Sequence, residues 1–292
     1  MTGARQIGLM LALFGALVLT PDTLFMRWSG MSGFAMLGWR GLLMGFVLIG
    51  LWLLSGQATR AALAELAKPA AIGVALFQAL NSTLFCLGVA LAPVAVVLLA
   101  VATVPVFAAV LGRIILGERT SAATWITMAA VLAGIAIAVF GQNGTVPAGG
   151  SALLGALAGL GVAAAIALSF VILRRARAVP IQPVMGLGAL IAGGIGLAVA
   201  GTDQMLAGQI WAIAVAGLLI LPVSFLCLTN ATRHTSATNV GLLLLLETVL
   251  GPVWVWIGAG EAMTPAMILG GGIMVGSLAL YVLGETRRTR TG

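Results

Sequence analysis

The sequence predicts an all-α polytopic membrane protein: ten transmembrane helices in two inverted five-helix repeats, residues 1–143 and 144–292, with both termini cytoplasmic. Three observations carry that expectation. Apolar runs of spanning length recur along the whole chain. The basic residues fall almost entirely on one side of the spans so defined, and the chain aligns with itself at an offset of 143 residues.

The spans follow from composition and length. Hydrophobic residues make up 61% of the chain and charged ones 7%, against roughly 25% charged in soluble domains. Fourteen basic and seven acidic side chains cannot solvate a globule of this size, so most of the surface must face something other than water. Crossing a ~30 Å hydrocarbon core takes ~20 apolar residues at ~1.5 Å rise each. Such runs occur at about 7–26, 33–54, 69–90, 94–116 and 122–140, then at about 151–173, 181–200, 208–231, 236–258 and 264–284. The connectors are short, among them SGQATRAALAELAK, RRARAVP and GQNGTVPAGG. Turns at Ala92–Pro93 and His234–Thr235 are tight enough to make antiparallel hairpins of the spans they join. The first run lacks a small-residue cleavage site and is too long and continuous for a signal peptide, so it is expected to remain as a helix.

The charges test the count. With ten spans, one side holds Arg5, Arg60, Lys68, Arg113, Arg119, Arg174, Arg175, Arg177, Arg233, Arg287, Arg288 and Arg290; the other holds only Arg27, with Asp203 and Glu261. Basic residues are retained in the cytoplasm during insertion. Twelve against one therefore puts both termini there, and a miscounted span would scramble the split.

The repeat appears when APVAVVLLAVATVPVFAAVLGRIILGERTSAATW is laid on TSATNVGLLLLLETVLGPVWVWIGAGEAMTPAMI without a gap, so that Gly117-Glu118 falls on Gly260-Glu261. Glu118 shares its loop with Arg113 and Arg119, whereas the loop of Glu261 has no basic residue. Five spans per half turn the second copy upside down, and inverted repeats place a site near the bilayer midplane between the halves.

A short turn, a long apolar helix containing proline, then GERT or GEAMT, then a glycine-rich helix resembles the EamA repeat of the drug/metabolite transporter superfamily. Arg40 in SGFAMLGWRGLL matches an arginine typical of that family's first repeat. Glu247 in LLLLLETVLGPVW matches its Leu-Glu-Pro, with Thr248 in place of the proline. The resemblance covers nearly the whole chain. It implies a ten-helix fold of inverted halves, multi-pass in the bacterial inner membrane, that exports amino acids or similar metabolites. Those motifs are structural and do not name the substrate.

Ionisable groups inside a membrane are costly and need a reason. Glu247 lies ~18 Å into a ~30 Å core, with Gly251 and Trp254 following on its helical face as space and flat wall. Either it meets a substrate ammonium or a transported proton, or it hydrogen-bonds backbone near Pro252 or a neighbouring hydroxyl. Gln78, Asn81, Ser82 and Phe85 form one polar–aromatic face of the third span, suited to binding substrate or to bonding a neighbouring helix. Asp22 and Arg40 lie at matching depth, as an external gate, as a static pair, or with Arg40 snorkelling to the interface. Pro21, Pro105, Pro222 and Pro252 are candidate hinges, and Thr103 and Ser224 beside two of them candidate cavity groups. Gly41/Gly45, Gly155/Gly159 and Gly272/Gly276 have the spacing of close helix packing.

Other classes fit less well. The pI near 11.3 comes from arginines punctuating apolar runs, not from a basic face for nucleic acid. Cys86 and Cys227 stand apart in apolar runs as packing residues, and with one histidine, His234, no metal or cofactor is expected. No Walker motif for ATP, no catalytic constellation and no ring of charged filter residues is present. The expectation is a secondary transporter working by alternating access, its partners a small molecule and the lipid bilayer, and a monomer is compatible with it. Multidrug, nucleoside or nucleotide-sugar export is the alternative. A phosphate-bearing substrate calls for two or more inward cations and only Arg40 lies deep, which favours a zwitterionic or neutral one.

Overall fold

A computed structural model describes residues 2–117, 122–140, 150–235 and 237–288. Among them all regular structure is helical: α1 (Thr2–Leu19), α2 (Asp22–Ser29), α3 (Gly33–Leu54), α4 (Arg60–Leu66), α5 (Pro69–Leu91), α6 (Val94–Val101), α7 (Val104–Leu116), α8 (Ala122–Phe140), α9 (Ala152–Arg175), α10 (Ile181–Leu206), α11 (Ile210–Val215), a π-helical segment (Ala216–Ile220), α12 (Leu221–Ala231), α13 (Ala237–Leu243), α14 (Leu245–Ala259) and α15 (Pro265–Arg288). Eight runs among the described residues are long and apolar enough to cross a membrane, from Gln6–Ser29 to Asn239–Ala259. Helices α8 and α15, of 19 and 24 residues, pack on each other beside them. The connector after α3 holds a short exposed helix, α4, that its composition had not marked. Glu118 and the join of the halves at 143/144 lie outside the described residues.

Five runs are interrupted: α10 kinks at Gly201, whose φ of 70° glycine adopts freely, and most of the other four breaks have local causes. Between α1 and α2, Thr20 donates back to Leu17 O at 2.9 Å and Pro21 has no N–H to continue the ladder. Between α6 and α7, Thr103 donates to Ala100 O at 2.7 Å and Pro105 opens the next helix. The π segment gives way to α12 with Pro222 in its first turn, and Ser224 donates to Ile220 O at 2.5 Å. The fourth break, at Leu244 between α13 and α14, lies away from Pro252, which sits inside α14. Against expectation, proline does not mark this interruption.

The two halves interlock. If each run is exchanged for its counterpart in the other half, the packing maps onto itself: α5 on α9 becomes α12 on α1, α6 and α7 on α9 become α13 and α14 on α1 and α2, and α10 on α5 becomes the π segment on α3. The largest contact, α3 with α10, maps onto itself. It is antiparallel and built on glycine, with Gly38 against Gly196, Gly41 against Gly193 and Gly45 against Gly186. A Cβ at Gly41 would lie 2.4 Å from Gly193 N, so these backbones touch only because side chains are absent. Gly155 and Gly159 seat Ala92 and Ala100 in the same way. Gly272 and Gly276 do not, for a Cβ on either meets nothing within 4 Å, so that pair is not used for packing within the described chain. Large apolar side chains on the outer faces, such as Phe46, Leu54, Ile114 and Ile257, are mostly exposed, a surface made for lipid rather than water.

Candidate functional site

A cavity with about 540 Å³ of space between its atoms lies where α1–α2, α3, α5, α6, α9, α12 and α13–α14 converge. Of the side chains expected at a site, Asp22, Arg40, Gln78, Asn81, Ser82, Phe85 and Glu247 line it together. Both carboxylates sit in the first turn of a helix that restarts after a break, Asp22 on α2 and Glu247 on α14, where the exposed peptide N–H groups favour negative charge. The broken runs thus place both carboxylates at the chamber inside the bundle.

Arg40 grips Asp22 with both arms of its guanidinium, NH1 to Oδ1 at 2.6 Å and NH2 to Oδ2 at 2.8 Å. The pair is buried, which demands such satisfaction. Arg40 also stands over the Phe85 ring, 5.8 Å from its centroid, and meets the thiol of Cys86. Asp22 and Arg40 lie near enough for Glu247 to feel their charges. Yet its buried carboxylate accepts no hydrogen bond among the described residues, nor does Asn81 make one from its amide. Gln78 makes a single long one, to Ser82 at 3.4 Å. The chamber holds two carboxylates against one guanidinium, with amide groups to spare.

Three expected residues stand elsewhere. Thr103 and Ser224 are buried at helix breaks, their hydroxyls bonded to their own helices. Trp254 is 43% exposed and donates to Thr20 at 3.2 Å. Gly251 leaves no space for a ligand, since a Cβ there would meet Leu98 Cδ1 at 2.5 Å. These two share a helical face with Glu247 but not its depth. At Gly251 that face is covered by Leu98 of α6 and Thr23 of α2. What the sequence did not announce is the apolar wall, Val162, Ile166 and Phe170 of α9 with Phe225 of α12, because apolar residues in an apolar run carry no mark.

The two ends of the chamber differ. At one, the αL cap at Gly260 (φ 72°) turns the chain so that Glu261 accepts from Val94 N at 2.8 Å. Arg27 donates to Val89 O and Ala92 O, each at 2.9 Å. Its Nε lies 2.8 Å from Glu261 Oε2, off the line of a hydrogen bond, so that contact is an ion pair. Phe25 and Trp28 pack on Trp211 of the other half at the same end, and Trp28 donates to Gly258 O at 2.9 Å. Toward the other end the chamber continues past Gln78, Asn81 and Phe225 into a smaller cavity of about 210 Å³ reaching Ser169 and Thr229.

A family model described as the EamA-like transporter family matches residues 6–140 and 153–283. The chain belongs to the EamA-like transporter family. No curated protein matches it. Among solved structures, one described only as a crystal structure of a protein has the same fold, with a TM-score of 0.65 at 19% identity over 94% of this chain and 96% of that one. Members of this family are membrane transporters rather than enzymes. In this EamA-like protein the chamber is lined from both matched segments.

Proposed function

We propose that this EamA-like protein is a secondary transporter exporting amino acids or similar small metabolites from the bacterial cytoplasm by alternating access. In this reading α8 and α15 complete ten spans, the halves are inverted repeats, and both termini are cytoplasmic. The observation that carries it is Glu247, a buried carboxylate with no hydrogen-bond donor among the described residues, lining with the Asp22–Arg40 pair a chamber shared by both halves.

A zwitterion fits that arrangement. Its ammonium group meets Glu247. Both arms of Arg40 are taken by Asp22, so its carboxylate is met by the amide N–H groups of Asn81 and Gln78, in the field of Arg40. An apolar body rests on Phe85, Phe170 and Phe225. The excess of carboxylates also supports the second reading, export of apolar cations. In this reading the pair of Arg27 and Glu261 is the latch of the external end.

The test is uptake into proteoliposomes from a panel of amino acids, nucleosides and cationic dyes, with and without a pH gradient. Saturable transport of apolar or aromatic amino acids is expected. Transport of dyes alone would sink the amino-acid reading, and transport of nothing on the panel would sink both.

A further inference from the structure

Two helices, one from each matched segment, join the chamber to the Arg27–Glu261 end. α2 starts after the interruption at Pro21 and α14 after the one at Leu244, and each carries a carboxylate in its first turn, Asp22 and Glu247. Both carboxylates line the chamber. Each helix then stops at a glycine in the left-handed region, Gly30 (φ 60°) and Gly260 (φ 72°). Arg27 stands in the last turn of α2, and Glu261 directly follows the cap of α14.

The two run side by side and in register. Trp254 Nε1 donates to Thr20 Oγ1, just before α2, at 3.2 Å. A Cβ on Gly258 would lie 2.7 Å from Leu24 Cδ1, so the leucine occupies the space a side chain there would need. Arg27 Nε stands 2.8 Å from Glu261 Oε2. In all three pairs the partners are 234 residues apart in the chain, which makes the helices parallel, and contacts spaced by four and then three residues fall on one side of a helix. Trp28 adds its bond to Gly258 O at 2.9 Å. The pair is held at both ends. At the chamber, Arg40 of α3 grips Asp22 at 2.6 and 2.8 Å. At the far end Arg27 donates to Val89 O and Ala92 O while Glu261 accepts from Val94 N, so both helices clasp the turn between α5 and α6. Packed, rigid elements are what carries coupling between sites. A tilt of α2 at Asp22 is carried along it to Arg27, and across the seam to Glu261.

We infer that α2 and α14 act as one strut that couples the chamber to the Arg27–Glu261 closure, which makes Asp22 and Arg40 positioning residues for that closure, acting through Arg27 and Glu261. A ligand that competes for Arg40 or draws on Glu247 acts at the inner end of the strut, and the closure at its outer end responds. The inference deepens the transport reading and rests on it at one point, that the chamber meets water past Arg27 and Glu261.

The test is a double-mutant cycle read at a chamber thiol. In the full chain with Cys86 and Cys227 replaced by serine, Ser82→Cys supplies that thiol. Its rate with a membrane-impermeant maleimide added on the Arg27 side is divided by its rate with N-ethylmaleimide, which crosses lipid and so corrects for changes in the thiol's own reactivity. Asp22→Asn weakens the grip of Arg40 on the inner end. Gly258→Leu, whose side chain overlaps Leu24, forces the seam apart outside the chamber. Each alone should raise the ratio about fivefold or more, and with Gly258→Leu present Asp22→Asn should change it by less than about twofold, because coupled sites are not additive. If the two effects multiply, or if either variant alone stays at the parent ratio, the strut does not couple the ends. Failure of the reading beneath it looks different: the ratio then stays at the parent value in Glu261→Gln as well, and the coupling falls with it. Should Asp22→Asn not fold, Asp22→Asn with Arg40→Gln, which removes both charges, takes its place in every comparison.

Discussion

Arg40 and Asp22 form a two-armed ion pair, 2.6 and 2.8 Å, buried beside a second carboxylate, Glu247, that has no such partner among the described residues. The contrast divides the chamber into a part that is already satisfied and a part that is not. The satisfied pair holds α2 against α3, and removing one partner leaves a buried charge alone. Arg40→Ala should therefore destabilise the protein by about 3–5 kcal/mol, read as thermal unfolding in detergent. Asp22→Asn combined with Arg40→Gln, which removes both charges, should recover most of that loss. If the double variant is as unstable as Arg40→Ala, the pair is not the source of the effect.

Glu247→Gln should do the opposite. The carboxylate has no hydrogen-bond donor among the described residues, so the amide costs little, within about 1 kcal/mol on the scale of one ordinary hydrogen bond. Its charge is what a substrate ammonium needs, so transport should fall by a factor of ten or more, about 1.4 kcal/mol in the transport step. The check is counterflow in proteoliposomes beside a melting curve. A stable variant that transports at the parent rate would remove Glu247 from the mechanism.

Glycine at the crossing of α3 and α10 makes a sharper structural prediction. At Gly41 a Cβ would sit 2.4 Å from the backbone N of Gly193 and 2.5 Å from Ala189 O, with no flexible side chain to yield. Gly41→Ala should cost about 1–3 kcal/mol, the range for overpacking, or fail to assemble. Gly272→Ala meets open space and should leave the melting temperature of the purified protein unchanged. Equal behaviour of the two would contradict the packing described.

These contrasts also explain what the sequence could and could not say. Gln78, Asn81, Ser82 and Phe85 were legible as a face because a polar residue in an apolar run stands out, and Asp22 and Arg40 because their depths agree. Thr103 and Ser224 misled because a short hydroxyl reaches its own helix's carbonyl before it reaches a cavity. Trp254 misled because periodicity gives a face and not a depth. Phe170 and Phe225 were silent for lack of contrast. The break at Leu244, which makes Glu247 a first-turn residue, has no proline or glycine next to it to announce it. Arg27 and Glu261 were visible as lone charges on a bare side, but only the fold brings them together across 234 residues of chain.

That pairing leads to the last prediction. Arg27 and Glu261 are 20% and 27% exposed, and an exposed ion pair alone contributes ~0–1 kcal/mol. Glu261, however, also accepts the first N–H of α6, from Val94, and a hydrogen bond to a charged group contributes about 1.5–3 kcal/mol. Glu261→Gln should thus weaken the closure by about 2 kcal/mol, a shift of roughly thirtyfold in the closed-to-open ratio. With Cys86 and Cys227 replaced by serine, Ser82→Cys puts a thiol in the chamber. A membrane-impermeant maleimide added on the Arg27 side should label it faster by an order of magnitude once Glu261 is changed. Swapping the charges, Arg27→Glu with Glu261→Arg, restores the ion pair but leaves Val94 N–H facing a cation and the Val89 and Ala92 carbonyls facing a carboxylate. The swapped protein should label as fast as Glu261→Gln, or faster. Slow labelling in the swap would mean the ion pair alone closes that end, and labelling unchanged in every variant would mean the closure lies elsewhere.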